Sequence, residues 1–190
     1  MYITSKIKLF SFLLFILLLL ILGCKYLNEF PLRSINTPKI DTAPEFNITF
    51  YNSDKNSFKY SIHKFISSQN KPVILNFWAS NCFPCREEMQ ELQLFFEQKE
   101  LKALIIGIDV GSQTSLGTKN GAKSLIRELM LTYPLGYSEE KDLLENYGII
   151  AIPSTVWILP NKKLYLKWTG ILNQDTLNKI TTELIKNTNN

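Results

Sequence analysis

The chain is poor in metal ligands: its 190 residues hold one His and three Cys. A structural zinc site takes four such ligands, so all of them would have to converge on one ion. A Cys-His hydrolase would have to recruit His63, which sits in the short mixed stretch Tyr60-Ser61-Ile62-His63-Lys64-Phe65 and reads as an ordinary surface or half-buried residue. Charge of one sign is scarce as well. The formal net charge is +4, and no cluster of Lys and Arg interleaved with aromatics appears, which argues against a nucleic-acid partner. An apolar run of the roughly twenty residues needed to span a bilayer is missing, and so is any internal repeat. No cofactor or metal is expected.

What is present at the N-terminus is a targeting pattern. Lys6 and Lys8 precede Leu9 to Leu22, an almost wholly apolar stretch of fourteen residues. That length suits the apolar region of a signal peptide better than a spanning helix. It ends in Ile21-Leu22-Gly23-Cys24, which resembles a bacterial lipobox, where a small residue precedes the cysteine that is lipidated. An uncleaved short anchor is the alternative. Either reading puts the rest of the chain outside the cytoplasm, at a membrane of the bacterial cell envelope. Removing residues 1–23 takes away two lysines and no acid, lowering the formal charge from +4 to +2, too mild an excess to call for an acidic partner. Residues 24–44 carry Pro31, Pro38 and Pro44 among polar residues and read as a tether. Residues 45–190 suit one domain with a real core.

With Cys24 so explained, two cysteines remain, in Cys82-Phe83-Pro84-Cys85. The apolar run Val73-Ile74-Leu75-Asn76-Phe77-Trp78-Ala79 leads into them through Ser80-Asn81. If a helix starts at this point, both sulfurs lie in its first turn, where free backbone N–H groups and the helix dipole favour a thiolate. The second sulfur is near enough to close a disulfide with the first. A bare C-x-x-C is also half a zinc site or a coincidence, and the ligand inventory weighs against zinc.

The remaining pattern is that of an α/β domain. Phe46 to Tyr51 and Ser57 to Tyr60 are expected to form a hairpin around Asn52-Ser53-Asp54, followed by a short helix over Ile62 to Ser67. Val73 to Ala79 is near-continuously apolar, as in a central strand covered on both faces. Cys85, Met89, Leu92 and Phe96 stripe one helix face, with Pro84 in the first turn, where its missing N–H costs little. Leu101 to Val110 is expected as a second buried strand and Gly111 to Gly121 as a polar loop. Ala122 to Leu131 and Glu139 to Tyr147 are expected as helices. Thr155 to Leu159 and Lys163 to Trp168 read as strands around a turn at Pro160-Asn161-Lys162. A C-terminal helix carries Leu177, Ile180, Leu184 and Ile185, with Asn173 as its cap.

Asn76-Phe77-Trp78-Ala79-Ser80, Cys82-Phe83-Pro84-Cys85-Arg86-Glu87-Glu88 and Ala151-Ile152-Pro153-Ser154-Thr155 together resemble the thioredoxin superfamily, most closely its membrane-anchored TlpA/ResA-like branch. The resemblance covers about residues 45 to 187. Asn81 departs from it, since the family usually has an aromatic residue there. The resemblance implies a thioredoxin-like fold, a central mixed β-sheet flanked by helices, here with an N-terminal β-hairpin extension. It implies a cis Ile152–Pro153 bond packed against the cysteines; a simple turn proline is the alternative.

Cys82 is expected to attack a partner disulfide and Cys85 to resolve the mixed disulfide. Phe83 and Pro84 would set the local potential, and Trp78, Phe83, Pro84 and Ile152 would wall the site. Glu88 lies three residues after Cys85, on its side of the helix, and matches a glutamate that the branch places beneath the active site. There it is expected to be partly desolvated and to carry protons, taking the place of an aspartate that thioredoxin has at the position of Asn76. An exposed helix glutamate like Glu87 is the alternative.

The function implied is membrane-tethered thiol–disulfide exchange. Its substrates would be disulfide-bearing exported proteins, apocytochrome c among the candidates, and its electrons would come from a membrane thiol reductase. A thiol oxidase or isomerase of the same fold is an alternative. A peroxidase needs a lone reactive cysteine in a different context. A copper-handling relative has a C-x-x-x-C and a downstream histidine, whereas His63 lies upstream.

Overall fold

Val73–Trp78 forms a strand whose six residues are all buried, and the rest of the fold is arranged on its two faces. The computed structural model describes residues 42–51, 59–98 and 103–188, with the side chains of 187 and 188 excepted. The expected signal segment 1–23, Cys24, nearly all of the 24–44 tether and the hairpin turn at Asn52-Ser53-Asp54 lie outside the described residues. In chain order the elements are β1 (Asn47–Phe50), β2 (Lys59–Ser61), α1 (Ile62–Gln69), β3 (Val73–Trp78), α2 (Phe83–Phe96) and β4 (Leu104–Asp109). They continue with α3 (Gly111–Thr114), α4 (Lys119–Glu128), β5 (Leu135–Tyr137), α5 (Leu143–Asn146), β6 (Ser154–Ile158), β7 (Leu164–Thr169) and α6 (Gln174–Thr188).

The strands make one mixed sheet in the order β2-β1-β5-β4-β3-β6-β7. β3 runs parallel to β4 and antiparallel to β6, so the strand bearing the cysteine turn and the strand following Pro153 are direct neighbours. Alternate β3 side chains enter two cores, as the two-residue period of a strand requires. Ile74 and Trp78 join Met89, Leu92 and Phe95 of α2, Ala122 and Leu125 of α4, and Leu177, Ile180 and Leu184 of α6. Val73, Leu75 and Phe77 join Ile62 and Ile66 of α1, Leu143 of α5, and Tyr147. Asn76 shares the parity of Ile74 and Trp78 and points its amide toward α2. Caps fix where helices start. Ser61 accepts from Lys64 N at 3.2 Å and Asn173 from Thr176 N at 2.9 Å. At the other end of the sheet from the cysteines, Thr42 bridges to Lys163, and Ala43 N donates to Lys162 O at 2.8 Å in the β6–β7 turn.

Four expectations need correction. Leu135–Tyr137 is a strand, β5, pairing with β4 on one side and β1 on the other. Three residues are too few to show a period, so only the tertiary pairing reveals it. The expected helix Glu139 to Tyr147 shrinks to Leu143–Asn146, because Glu139 reaches out to Lys59 and Lys119 and Glu140 accepts from Asn47 N at 2.8 Å. The supposed polar loop Gly111 to Gly121 contains α3 and the start of α4, which Thr118 caps by accepting from Gly121 N at 3.1 Å. The apolar stripe of α2 ends on Phe95, which is buried, while Phe96 is only half-buried.

Gly107 marks the tightest point between β3, β4 and β5. A Cβ built there would lie 2.5 Å from Leu135 Cδ2 and 3.0 Å from Trp78 Nε1. Gly107→Ala is therefore expected to destabilise the fold by about 1–3 kcal/mol through overpacking. Urea denaturation of the oxidised protein measures this, and an unchanged midpoint would show that the sheet has room to relax.

Candidate active site

Cys82 is the N-cap of α2, in extended conformation, with Phe83 and Pro84 in the first turn. Its Sγ accepts from the backbone N–H of Cys85 at 3.3 Å. This is the helix-terminal environment that stabilises negative sulfur. Cys82 and Cys85 are joined by a disulfide of 2.01 Å, with Cα atoms 5.3 Å apart. Both sulfurs are sheltered. Cys85 is fully buried, and Cys82 keeps 6% of its surface.

The turn before Cys82 is braced from the β4 side. Val110 N donates to Trp78 O at 2.9 Å, and Asn81 N to Leu116 O at 2.8 Å. On the other side the Ile152–Pro153 bond is cis, and Ile152 O lies 3.9 Å from Cys82 Sγ. Gly170 holds the proline in place by donating its N–H to Pro153 O at 2.9 Å. It does so at φ +108°, where a side chain would be strained. Trp78 is fully buried in the core that contains both cysteines, and Ile152 packs partly buried against it. Pro84 is half-buried, whereas Phe83 points outward at 72% exposure.

Glu88 is fully buried, while its neighbour Glu87 is exposed. Its Oε2 accepts from Asn76 Nδ2 at 2.7 Å and its Oε1 from Leu172 N at 3.1 Å. Asn76 Nδ2 also donates to Thr155 Oγ1 at 3.0 Å. Burial raises the Glu88 pKa from 4.5 to about 7, and the two donated hydrogen bonds oppose that rise. The carboxyl thus sits where a proton is gained or lost near neutral pH, on the helix side it shares with Cys85.

The partners of this carboxyl escape sequence reasoning in part. Asn76 is flagged by its place in the motif, and Thr155 belongs to the Ile-Pro-Ser-Thr block. Nothing in the pattern marks Leu172 N or Tyr133, whose buried hydroxyl has its pKa pushed well up by burial and by the Glu88 charge. A second buried carboxyl, Asp109 at the end of β4, is likewise unsignalled. It accepts from Tyr51 Oη at 2.5 Å and from Gly111 N at 2.8 Å, and burial raises its pKa.

Residues 40–167 match the family described as AhpC/TSA. The chain belongs to the AhpC/TSA family. Among curated proteins it is 30% identical over 138 residues to the thiol-disulfide oxidoreductase ResA of Oceanobacillus iheyensis, covering 72% of this chain and 68% of that protein. It is 27% identical over 106 residues to the sporulation thiol-disulfide oxidoreductase A of Bacillus subtilis, covering 56% and 62%. Among solved structures, StoA of Bacillus subtilis matches with a TM-score of 0.60 at 20% identity, over 74% of this chain and 98% of that one. The exposed lipoprotein thioredoxin of Streptococcus pneumoniae matches at 0.62 and 18%, over 74% and 99%. The fold is thioredoxin-like and the enzyme class is thiol–disulfide oxidoreductase.

The Glu88 environment has a consequence for stability. Its folded-state pKa is raised, so between pH 4.5 and about 7 the folded protein binds more protons than the unfolded chain. Stability from this group is then complete below that window and lost as pH rises through it, by about 3 kcal/mol in all. Relative to Glu88→Gln, which has no proton to lose, the oxidised wild type is expected to lose ground between pH 5 and 8. A difference in unfolding free energy that stays flat over that range would contradict the assignment.

Proposed function

We propose that this chain is a membrane-tethered reductase of disulfides in exported proteins, working outside the cytoplasm through Cys82 and Cys85. The observation that carries the reading is the sheltered Cys82 sulfur at a helix N-cap, with Cys85 behind it and the Ile152 carbonyl beside it. Residues 1–23 act as a lipoprotein-type signal, Cys24 carries the lipid, 24–44 form the tether and 45–190 the catalytic domain. The direction of electron flow follows from resemblance to the TlpA/ResA-like branch. Apocytochrome c is one candidate substrate, and a membrane thiol reductase supplies the electrons.

In this scheme the Cys82 thiolate attacks one sulfur of the partner disulfide, forming a mixed disulfide and releasing the partner's second sulfur as a thiolate. Glu88, as carboxylate, takes the proton of the Cys85 thiol. The Cys85 thiolate then attacks Cys82 Sγ, the bond from Cys82 to the partner breaks, and the partner leaves with both sulfurs reduced, taking up the proton held by Glu88 and one from solvent. Two electrons have moved to the partner, and Cys82–Cys85 is oxidised. Ile152 and Pro153 align the partner segment. An imide at Pro153 presents no N–H to the sulfurs.

Trapping tests the scheme. Cys85→Ser is expected to accumulate mixed disulfides through Cys82 in cells, and the trapped proteins identify substrate and direction together. Folded Cys85→Ser that traps nothing would reject the exchange role. Glu88→Gln is expected to shift the pKa of one active-site thiol or slow resolution about 10²-fold or more, as loss of a proton-transfer group does. Unchanged thiol titration and unchanged exchange rates would remove Glu88 from the mechanism.

A further inference from the structure

Among the described residues Lys167 is the one buried lysine or arginine, and it stands on a sheet face whose neighbours are apolar. It pairs with Val156 across β6 and β7 and shares the face of Val156, Ile158 and Leu164, away from the core that holds the cysteines. A cation taken out of water without a partner is costly. Burial pushes the Lys167 pKa down, and no carboxylate among the described residues pairs with it. Its ammonium donates instead to the Gly148 carbonyl at 2.5 Å.

Gly148 begins the segment that leads to Pro153. It ends α5 in the left-handed region, at φ +59°, with its N–H on Glu145 O at 2.8 Å and the N–H of Ile149 on Leu144 O at 2.7 Å. This pair of bonds turns the chain out of the helix. Two residues beyond Lys167 on β7, Thr169 reaches the same segment. Ser154 gives its single hydroxyl proton to Ala151 O at 2.8 Å, so the Thr169 hydroxyl, 3.0 Å from Ser154 Oγ, is the donor between those two. Gly170 then bonds to Pro153 O. One strand and the glycine after it thus hold residues 148–153 at their start, middle and end. Ile152, inside that span, has its carbonyl 3.9 Å from Cys82 Sγ.

We propose that Lys167 and Thr169 are positioning residues for exchange, clamping residues 148–153 so that Ile152 and Pro153 meet a partner's backbone in one fixed geometry beside Cys82. The proposal rests on the exchange reading of Cys82 and adds what holds the loop beside it. Both residues act through that loop and not on the sulfurs. Loss of Lys167 releases the loop at Gly148, and loss of Thr169 weakens the tie at Ala151, while Cys82 keeps its place at the N-cap of α2. Alignment of a partner's backbone then suffers and thiol chemistry does not.

Two substitutions and two disulfides test this. Lys167→Met removes the donor and keeps the length of the side chain. Thr169→Val, at an exposed position, removes the hydroxyl and keeps the shape. Each reduced full chain is oxidised by a synthetic peptide with an internal disulfide and, separately, by hydroxyethyl disulfide, which has no backbone to align. Second-order rates are read by stopped-flow tryptophan fluorescence. Both variants are expected to react with the peptide about tenfold more slowly than wild type, and with hydroxyethyl disulfide within about twofold of it. The double variant is expected to lose less than the product of the two single losses, because both residues hold one loop. Rates that fall together for the two disulfides, or a peptide rate unchanged in either variant, would overturn the clamp. Thr169→Val keeps the test decisive if Lys167→Met does not fold. Failure of the wild type to react even with hydroxyethyl disulfide would instead defeat the exchange reading itself.

Discussion

The arrangement at the redox pair depends on one buried carboxyl. Glu88 ties together three parts of the fold that share no local sequence: α2, which carries it; β3, through the Asn76 amide; and the segment after β7, through Leu172 N. A charged group in such a place would cost several kcal/mol if left alone. Two donated hydrogen bonds limit that cost without abolishing it, which is why the proton is retained up to about pH 7. The same contacts fix α2 against the sheet at the turn that begins with Cys82. Proton affinity and the placement of the sulfurs are thus set by one group of contacts.

This links the site to segments usually regarded as separate. Asn76 shares its amide between Glu88 and Thr155, and Thr155 stands two residues after the cis Pro153. Leu172 follows Gly170 and Ile171, the stretch that bonds Pro153 and lifts an isoleucine into solvent. The carboxyl beneath the disulfide and the cis-proline loop beside it are thus joined through hydrogen bonds and backbone a few residues long.

Much of this was legible in the chain because its signals are local. The two-sided apolar run of β3, the stripe of α2 and the turn between β6 and β7 each declare themselves within about ten residues. The Cys82-to-Cys85 spacing and the offset of Glu88 are enough by themselves to place chemistry on one helix face. What stayed hidden is what depends on distant partners. β5 exists because β1 and β4 flank it, and the Tyr51–Asp109 pair joins residues 58 apart. Ile150 and Ile171 carry no pattern at all. Each is a single apolar residue in a loop, and only the fold reveals that both are exposed.

The bridge from Thr42 to Lys163 bears on reach. It fastens the start of the described chain beside the β6–β7 turn, level with Val73 at the beginning of β3, since Val73 pairs with Ile158. The cysteines emerge beyond the far end of that strand, about 20 Å away along six residues. Residue 42 is therefore fixed at one pole of the sheet while the dithiol lies at the other, so the contacts that hold the start of the described chain leave the sulfurs uncovered.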